Sequence, residues 1–209
     1  DLVIENVVEE LSVKRQVLAE TEAHIGDECV YASDTSSLPI SQIAAFARRP
    51  ERVLGMHYFS PVKKMPLLEI VVTEKNDEAS VATAYRLGSI QGKTMLQVKD
   101  GPGFYTTRIL APYLDEAMVL LEEGGDISSI DKAMREFGFP TGPFSLLDEI
   151  GLDVAGHVSG AMRDKFEQRG FSPSDLLARL ASEGFLVRKN RKGFYEYGVF
   201  KSQGKKISR

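Results

Sequence analysis

One histidine and one glutamate stand where they could transfer a proton. His57 lies near the end of the apolar run Val53–Tyr58, next to a loop, and histidine side chains titrate near neutral pH. Glu69 interrupts the next apolar run, Leu67–Val72, where a carboxylate needs a partner to offset its desolvation. If the loop folds the two strands back on each other, the carboxylate reaches the imidazole. The pattern predicts a catalytic pair; the structural alternatives are a core histidine bonded to backbone and a glutamate on a solvent-facing surface.

A second polar group comprises Asp34, Thr35, Ser36 and Ser37, between a strand-like run and a helical one. Ligands of parallel α/β sheets bind outside the carboxyl ends of the strands, so these hydroxyls could contact a substrate. Ser36 or Ser37 could equally cap the following helix. The sequence contains no G-x-S-x-G motif, which disfavours a serine nucleophile.

Strands and helices alternate in the first half of the chain. Successive strand-helix units imply a parallel sheet, so we predict an α/β, Rossmann-type nucleotide-binding domain. Besides the two apolar runs that carry His57 and Glu69, the predicted strands cover residues 2–4, 29–32 and 95–98, and the predicted helices cover residues 7–23, 40–47 and 78–91.

The pattern changes at a hinge, Asp100-Gly101-Pro102-Gly103, whose meaning by default is structural. We place a domain boundary here, with residues 1–100 in the nucleotide-binding domain and residues 101–209 in an all-α domain. Its predicted helices cover residues 106–123, 127–137, 145–150, 153–169 and 174–183. Asp131 and Ser174 are placed as helix N-caps or first-turn residues, and the residues after position 197 are predicted to form a mobile tail.

The amino-acid composition excludes several classes of binding partner and site. The chain carries 26 basic and 30 acidic residues, a net charge of −4, which gives no electrostatic reason to expect nucleic acid. The one cysteine, Cys29, excludes an internal disulfide and a multi-cysteine zinc site, and we expect it to pack as a small apolar residue and expect no metal. No stretch approaches the roughly 20 apolar residues of a membrane span. Basic residues near the C-terminus are predicted to be solvated rather than to bind an anion; they are Arg188, Lys189, Arg191, Lys192, Lys201, Lys205 and Lys206.

Three segments of the sequence resemble the 3-hydroxyacyl-CoA dehydrogenase family: residues 32–40, 49–61 and 99–104. The resemblance continues to Gly193-Phe194-Tyr195, so it covers nearly the whole chain. Two shorter stretches, residues 57–61 and 104–108, are similar to the multifunctional β-oxidation members of the family, in particular the mitochondrial type.

The resemblance implies the NAD-dependent oxidation of L-3-hydroxyacyl-CoA to 3-ketoacyl-CoA. It makes His57 the general base that removes the 3-hydroxyl proton, with Glu69 holding the imidazole and stabilising its charged form. Ser36 would donate a hydrogen bond to the substrate oxygen. Thr107 stands where the family has an asparagine on the thioester side, so it offers a hydroxyl in place of an amide.

The resemblance also implies which residues meet the cofactor. Glu9 and Lys14 match positions that contact the nicotinamide ribose side of NAD. Asp34 matches a position beside the nicotinamide and substrate that is usually asparagine, and an extra carboxylate there is expected to weaken the binding of an anionic CoA ester. The family's G-x-G-x-x-G phosphate motif would precede Asp1, so we expect an N-terminally truncated domain that binds NAD weakly by itself.

Expectations about partners and location follow from the same resemblance. The substrate would be a 3-hydroxyacyl-CoA, and the helical domain would make subunit contacts, in a homo-oligomer or in a complex with a thiolase subunit. A mitochondrial location is expected, with the peroxisome and the bacterial cytoplasm as alternatives. A second hypothesis, motivated by Asp34 and Thr107, is a catalytically silent assembly module, and a third is a dehydrogenase for another 3-hydroxy acid.

Overall fold

The computed structural model describes residues 1–185, 187, 192–197 and 206–208. The chain divides into two compact units, Asp1–Arg108 and Ile109–Arg209. Among the described residues, every helix is too short or too polar to cross a bilayer.

The first unit is built on a five-stranded sheet with the order β1-β2-β3-β4-β5. Its first three strands are parallel, β4 is antiparallel to β3, and β5 is parallel to β4. Helices connect β1 to β2 and β4 to β5, which confirms the predicted Rossmann-type fold. The strands are β1 Leu2–Glu5, β2 Val30–Ser33, β3 Val53–Tyr58, β4 Leu67–Val72 and β5 Thr94–Lys99.

The helices of this unit are shorter than their apolar periodicity predicts. The helix α1 covers Leu11–Glu22 and begins later than predicted, because the Val7 N–H donates to the Glu5 side chain instead of starting a turn. The helix α2 covers only Ile40–Ile43 and continues as a 3₁₀ turn, Ala44–Phe46. A second 3₁₀ turn, at residues 50–52, precedes β3, and α3 covers Glu78–Ile90.

Both faces of the sheet are covered, which explains why its strands read as continuous apolar runs. One face packs against α1 and α2 and includes the buried side chains of Tyr31, Val53, Val71 and Val98. The other face packs against α3 and includes Val30, Ala32, Leu54, Met56, Leu68 and Ile70. Gly55 has to be glycine on the first face, since an added Cβ would lie 2.7 Å from Val71 Cβ and 3.0 Å from Ile40 Cδ1.

After β5 the chain returns to the start of α2, where a residue distant in the sequence caps that helix. The backbone N–H groups of Ile40 and Ser41 donate to the Asp100 carboxylate at 2.7 and 3.0 Å. The Gly103 N–H donates to the Ser37 carbonyl at 3.1 Å. The hinge is therefore structural, as predicted. Of the two alternatives for Ser36 and Ser37, capping of the helix does not hold, because Asp100 supplies that acceptor.

The second unit is mainly helical. Its helices are α4 Thr106–Glu122, which begins within the first unit, α5 Ile127–Phe137, α6 Pro143–Ile150, α7 Leu152–Glu167 and α8 Leu176–Ser182. The unit also contains an antiparallel pair of strands, β6 Tyr195–Tyr197 and β7 Lys206–Ser208. The predicted tail was therefore wrong at residues 206–208, where backbone pairing with β6 forms a strand. The rest of the predicted tail, residues 198–205 and 209, and the basic residues Arg188, Lys189 and Arg191 lie outside the described residues.

Buried carboxylates hold the second unit together. Asp131 lies inside α5 rather than at its cap, because its fully buried carboxylate accepts from the Phe144 N–H at 2.8 Å and from the Tyr195 hydroxyl at 2.9 Å. The N-cap of α5 is Asp126, so that prediction for Asp131 was wrong. Ser174 lies one residue before Asp175, the N-cap of α8, so its predicted position was one residue off; its hydroxyl accepts from the Leu176 N–H at 3.0 Å.

Replacing Asp100 with alanine removes the cap of α2. We expect the free energy of unfolding of this chain to fall by about 1 kcal/mol, the usual cost of losing an N-cap. Urea unfolding followed by circular dichroism measures the change. Lys99→Ala, one residue earlier on an exposed position, is the control. Equal stabilities of the two variants would contradict the capping role.

Candidate active site

His57 and Glu69 form a buried pair on adjacent strands. They lie directly opposite each other in the antiparallel register of β3 and β4, as the fold-back expectation requires. The His57 Nδ1 and Glu69 Oε2 atoms are 2.7 Å apart, and the residues are 4% and 0% exposed. Neither structural alternative describes them, since the histidine contacts a carboxylate and the glutamate is buried.

The first turn of α4 completes the surroundings of Glu69. The Thr106 N–H donates to Oε1 and the Thr106 hydroxyl donates to Oε2, each at 2.9 Å. Burial raises the pKa of Glu69, but the hydrogen bonds from His57 and Thr106 and the imidazole charge lower it below its usual range. Glu69 is therefore ionised at neutral pH. The sequence reasoning missed Thr106, whose only signal is a hydroxyl just after the glycine hinge.

The ionised carboxylate fixes the orientation and tautomer of the His57 ring. A carboxylate can only accept, so Nδ1 carries a proton, and in the neutral form of the ring Nε2 presents its lone pair. The ring packs between Phe59 and Phe104, with centroids 4.5 and 5.9 Å away. Within the described part of the chain, Nε2 makes no hydrogen bond. The pair therefore presents one nitrogen that can accept a proton.

A loop beside this pair is held by Glu9. The Glu9 Oε1 atom accepts from the Thr35 hydroxyl at 2.6 Å and from the N–H groups of Ser36 and Ser37, each at 3.1 Å. Burial raises the pKa of Glu9, but these hydrogen bonds and the charge of Lys14 lower it overall. The sequence analysis named Thr35 as one of four polar residues that could contact a substrate; in the structure its hydroxyl makes the shortest contact to Glu9 instead.

Lys14, expected to contact a cofactor, is 1% exposed and engaged inside the protein. Its Nζ lies 2.7 Å from Glu5 Oε1 and 3.4 Å from Glu9 Oε2. Its ammonium is therefore directed at two carboxylates rather than at an open surface. The sequence reasoning missed Glu5, although it ends the apolar strand β1 as Glu69 interrupts β4, and the same desolvation argument applies to it.

Asp34 is held by two donors. The Tyr58 N–H donates to Oδ1 at 2.8 Å and the Asn6 amide donates to Oδ2 at 2.9 Å. Burial raises the pKa of Asp34, and the Tyr58 hydrogen bond only partly opposes it. Because Tyr58 adjoins His57, the structure brings this carboxylate next to the histidine strand.

Ser36 and Thr107 are both half-buried. Ser36 uses its backbone N–H on Glu9, and Thr107 follows Thr106 in the first turn of α4. Neither hydroxyl makes a hydrogen bond to the described part of the chain, so each is available to a ligand.

The residues present fit the ribose end of a nucleotide. Glu9, Asp34 and Ser36 follow the carboxyl ends of the parallel strands β1 and β2, where ligands of this fold class bind. Carboxylates and a hydroxyl suit the hydroxyl groups of a ribose. Among the described residues, no group of histidine, cysteine and acidic side chains could hold a metal ion. A cavity of about 780 Å³ opens at the other end of β4 and β5 and has none of the candidate residues in its wall.

Comparison with known families matches both halves of the chain. Residues 1–101 match the NAD binding domain of 3-hydroxyacyl-CoA dehydrogenase, and residues 103–197 match the C-terminal domain of the same family. The predicted cofactor, NAD, is confirmed by the first of these matches.

Curated relatives agree with these matches. The fatty acid oxidation complex subunit alpha of Shewanella amazonensis is 46% identical over 207 residues, which is 99% of this chain and 29% of that protein. The subunit of the same name from Idiomarina loihiensis is 48% identical and covers 95% of this chain and 28% of that protein. The chain thus spans less than a third of their length. Both relatives are bacterial, so they do not support the expected mitochondrial location.

Solved structures are similar over most of the chain. FadB2 of M. tuberculosis has a TM-score of 0.89 and 38% identity, covering 94% of this chain and 70% of that one. The (S)-3-hydroxybutyryl-CoA dehydrogenase PaaH1 of Ralstonia eutropha has a TM-score of 0.88 and 34% identity, covering 95% and 71%.

Replacing Glu69 with glutamine should change stability in a pH-dependent way. The folded pKa of Glu69 lies below its unfolded value, so its contribution is complete above the unfolded pKa, about 4.3. That contribution is lost as the pH falls through the folded pKa. We expect the free energy of unfolding of the Glu69→Gln chain to be about 2 kcal/mol lower than that of the unsubstituted chain at pH 7. This difference should shrink as the pH falls.

Urea unfolding of the Glu69→Gln chain between pH 3 and pH 7 measures this difference. Glu20→Gln, at an exposed position on α1, is the matched control and should follow the unsubstituted chain at every pH. A Glu69→Gln penalty that did not change with pH would contradict the ionised state.

Proposed function

Because this chain belongs to the 3-hydroxyacyl-CoA dehydrogenase family, we propose that it carries the proton-transfer site of an NAD-dependent enzyme that oxidises L-3-hydroxyacyl-CoA. The observation that carries the proposal is the buried His57–Glu69 pair, with 2.7 Å between Nδ1 and Oε2 and with no hydrogen bond from Nε2 to the described part of the chain. Such a pair is the geometry of a general base oriented by a carboxylate.

The proton of the 3-hydroxyl passes to His57 Nε2 while the C3–H bond breaks, so that C3 becomes the carbon of a ketone. NAD⁺, when bound, supplies the acceptor for the hydride. Glu69 stays ionised and stabilises the imidazolium that forms, without taking the proton itself. In the reverse direction the imidazolium returns the proton to the oxygen.

Other residues bind and orient the substrate and the cofactor. Ser36 donates a hydrogen bond to the reacting oxygen, and Glu9 supports it by holding its backbone. Thr107 contacts the thioester side of the acyl-CoA through its hydroxyl. Glu9 and Asp34 meet the nicotinamide ribose side of NAD, while Lys14 acts there through Glu9 because its ammonium is buried.

The whole natural protein acts, on this proposal, in fatty-acid β-oxidation. The relatives named above are alpha subunits of fatty acid oxidation complexes, which supports an assembly role for the protein beside its chemistry. The partner would be a thiolase subunit or a further copy of the chain. Co-purification of the natural protein with its partner tests this part.

Replacing His57 with alanine removes the proposed base. We expect kcat to fall about 1,000-fold, within the range that general acid-base catalysis contributes, while the KM for NADH changes little. The measurement is NADH oxidation by the natural full-length protein with a 3-ketoacyl-CoA, followed by nicotinamide absorbance. The assay runs the reaction in reverse and uses the same proton-transfer group.

The matched control for His57 is His24, which is exposed at the end of α1 and bonded to the Glu20 carbonyl. His24→Ala should retain full activity. If the unsubstituted protein has no turnover, the dehydrogenase proposal fails and the silent assembly module takes its place. If His57→Ala keeps full turnover, His57 is not the base. Turnover of substrates that lack CoA would favour another 3-hydroxy acid.

Replacing Asp34 with asparagine removes one negative charge and leaves an oxygen to accept from the Tyr58 N–H. We expect the KM for the anionic acyl-CoA to fall about fivefold, because removing the carboxylate removes roughly 1 kcal/mol of repulsion between Asp34 and the acyl-CoA. Steady-state kinetics at two salt concentrations measure the change, which should shrink at high salt. A higher KM in Asp34→Asn would show that the carboxylate contributes to binding instead.

A further inference from the structure

Glu5 is a buried carboxylate that none of the roles proposed above includes. It ends β1, is 4% exposed, and has both of its carboxylate oxygens engaged by donors of the protein. Its Oε1 accepts from Lys14 Nζ and from the Val7 N–H, each at 2.7 Å, and its Oε2 accepts from the Ser33 hydroxyl at 2.6 Å. One side chain thus links β1, β2 and α1.

The contacts continue from Glu5 to the loop that carries Ser36. Lys14 Nζ lies between Glu5 and Glu9, and Glu9 Oε1 holds the backbone and hydroxyl groups of residues 35–37. The Asp34 N–H also donates to the Glu5 carbonyl at 2.9 Å. We call Glu5, Ser33, Lys14 and Glu9 the Glu5 network.

Charge explains why the Glu5 network depends on Glu5. A buried ammonium needs nearby negative charge to offset its desolvation. Of the two carboxylates near Lys14, Glu9 is the more distant and the more exposed, with 34% of its side chain exposed against 1% for Glu5. Without Glu5, Lys14 has to draw Glu9 inward. The Glu9 carboxylate would then leave the N–H groups of Ser36 and Ser37.

We propose that Glu5 is a positioning residue that fixes Glu9, and through Glu9 the loop 34–37, for cofactor binding. The proposal rests on the proposed function for its effect on NAD. Its structural part, the holding of the loop, is independent of catalysis. The test therefore measures both parts separately.

The first measurement is hydrogen exchange in the natural full-length protein without ligand. In Glu5→Gln the amides of Ser36 and Ser37 should exchange about tenfold faster, because their acceptor is displaced. The matched control is Glu22→Gln, another buried carboxylate on α1, which accepts from the N–H groups of Arg48 and Arg49 near the start of β3. The control should leave exchange in the loop unchanged.

The second measurement is steady-state kinetics. Glu5→Gln should raise the KM for NAD⁺ about tenfold with kcat changed less than about threefold, since a misplaced loop weakens binding more than proton transfer by His57. Glu22→Gln should not change either parameter. If Glu5→Gln fails to fold, Ser33→Ala, which removes only the hydroxyl donor to Glu5, should give the same effects at smaller size.

The outcomes separate the two proposals. Faster loop exchange together with a raised KM for NAD⁺ supports the positioning role. Unchanged loop exchange, an unchanged KM for NAD⁺, or the same change in Glu22→Gln overturns it. If the unsubstituted protein does not turn over with NAD⁺, the proposed function fails, and the exchange comparison still decides whether Glu5 holds the loop.

Discussion

The Glu69 carboxylate has no exposed surface, and it is satisfied only because separate parts of the chain bring donors to it. A buried ionised group costs several kcal/mol unless charge and hydrogen bonds offset its desolvation. The imidazole of His57 comes from β3, and the N–H and hydroxyl of Thr106 come from the start of α4. Because these donors must reach Glu69, their contacts fix the register of β3 and β4 and the path of the chain after β5.

The same constraint acts a second time at Glu5. Each carboxylate follows apolar residues of a strand and each is paired with one cationic or ionisable partner, His57 for Glu69 and Lys14 for Glu5. Among the described residues, His57 keeps a ring nitrogen without a hydrogen bond, whereas the Lys14 ammonium contacts Glu5, Glu9 and the Val7 carbonyl. Similar chemistry at two strands is thus proposed to give a proton-transfer pair in one place and a support in the other.

The features that could be predicted from the sequence are those that a local pattern of residues determines. The strand positions, the parallel order and the His57–Glu69 pairing follow from apolar runs interrupted by single polar residues. The contacts it missed join residues far apart in the chain: Thr106 with Glu69, Asp100 with Ile40, and Asp131 with Tyr195. No periodicity reports such contacts, because each depends on where the chain returns in space. Glu5 is the exception, since the argument used for Glu69 applied to it equally.

The cap of α2 also bears on how the protein forms during synthesis. Asp100 is separated by 60 residues from Ile40, whose N–H it accepts. A helix of four residues has little stability by itself, so α2 depends on that acceptor. On the ribosome, β3, β4, α3 and β5 all emerge before Asp100 does. The segment that follows Ser36 and Ser37 therefore cannot reach its final conformation until the whole five-stranded sheet has been synthesised.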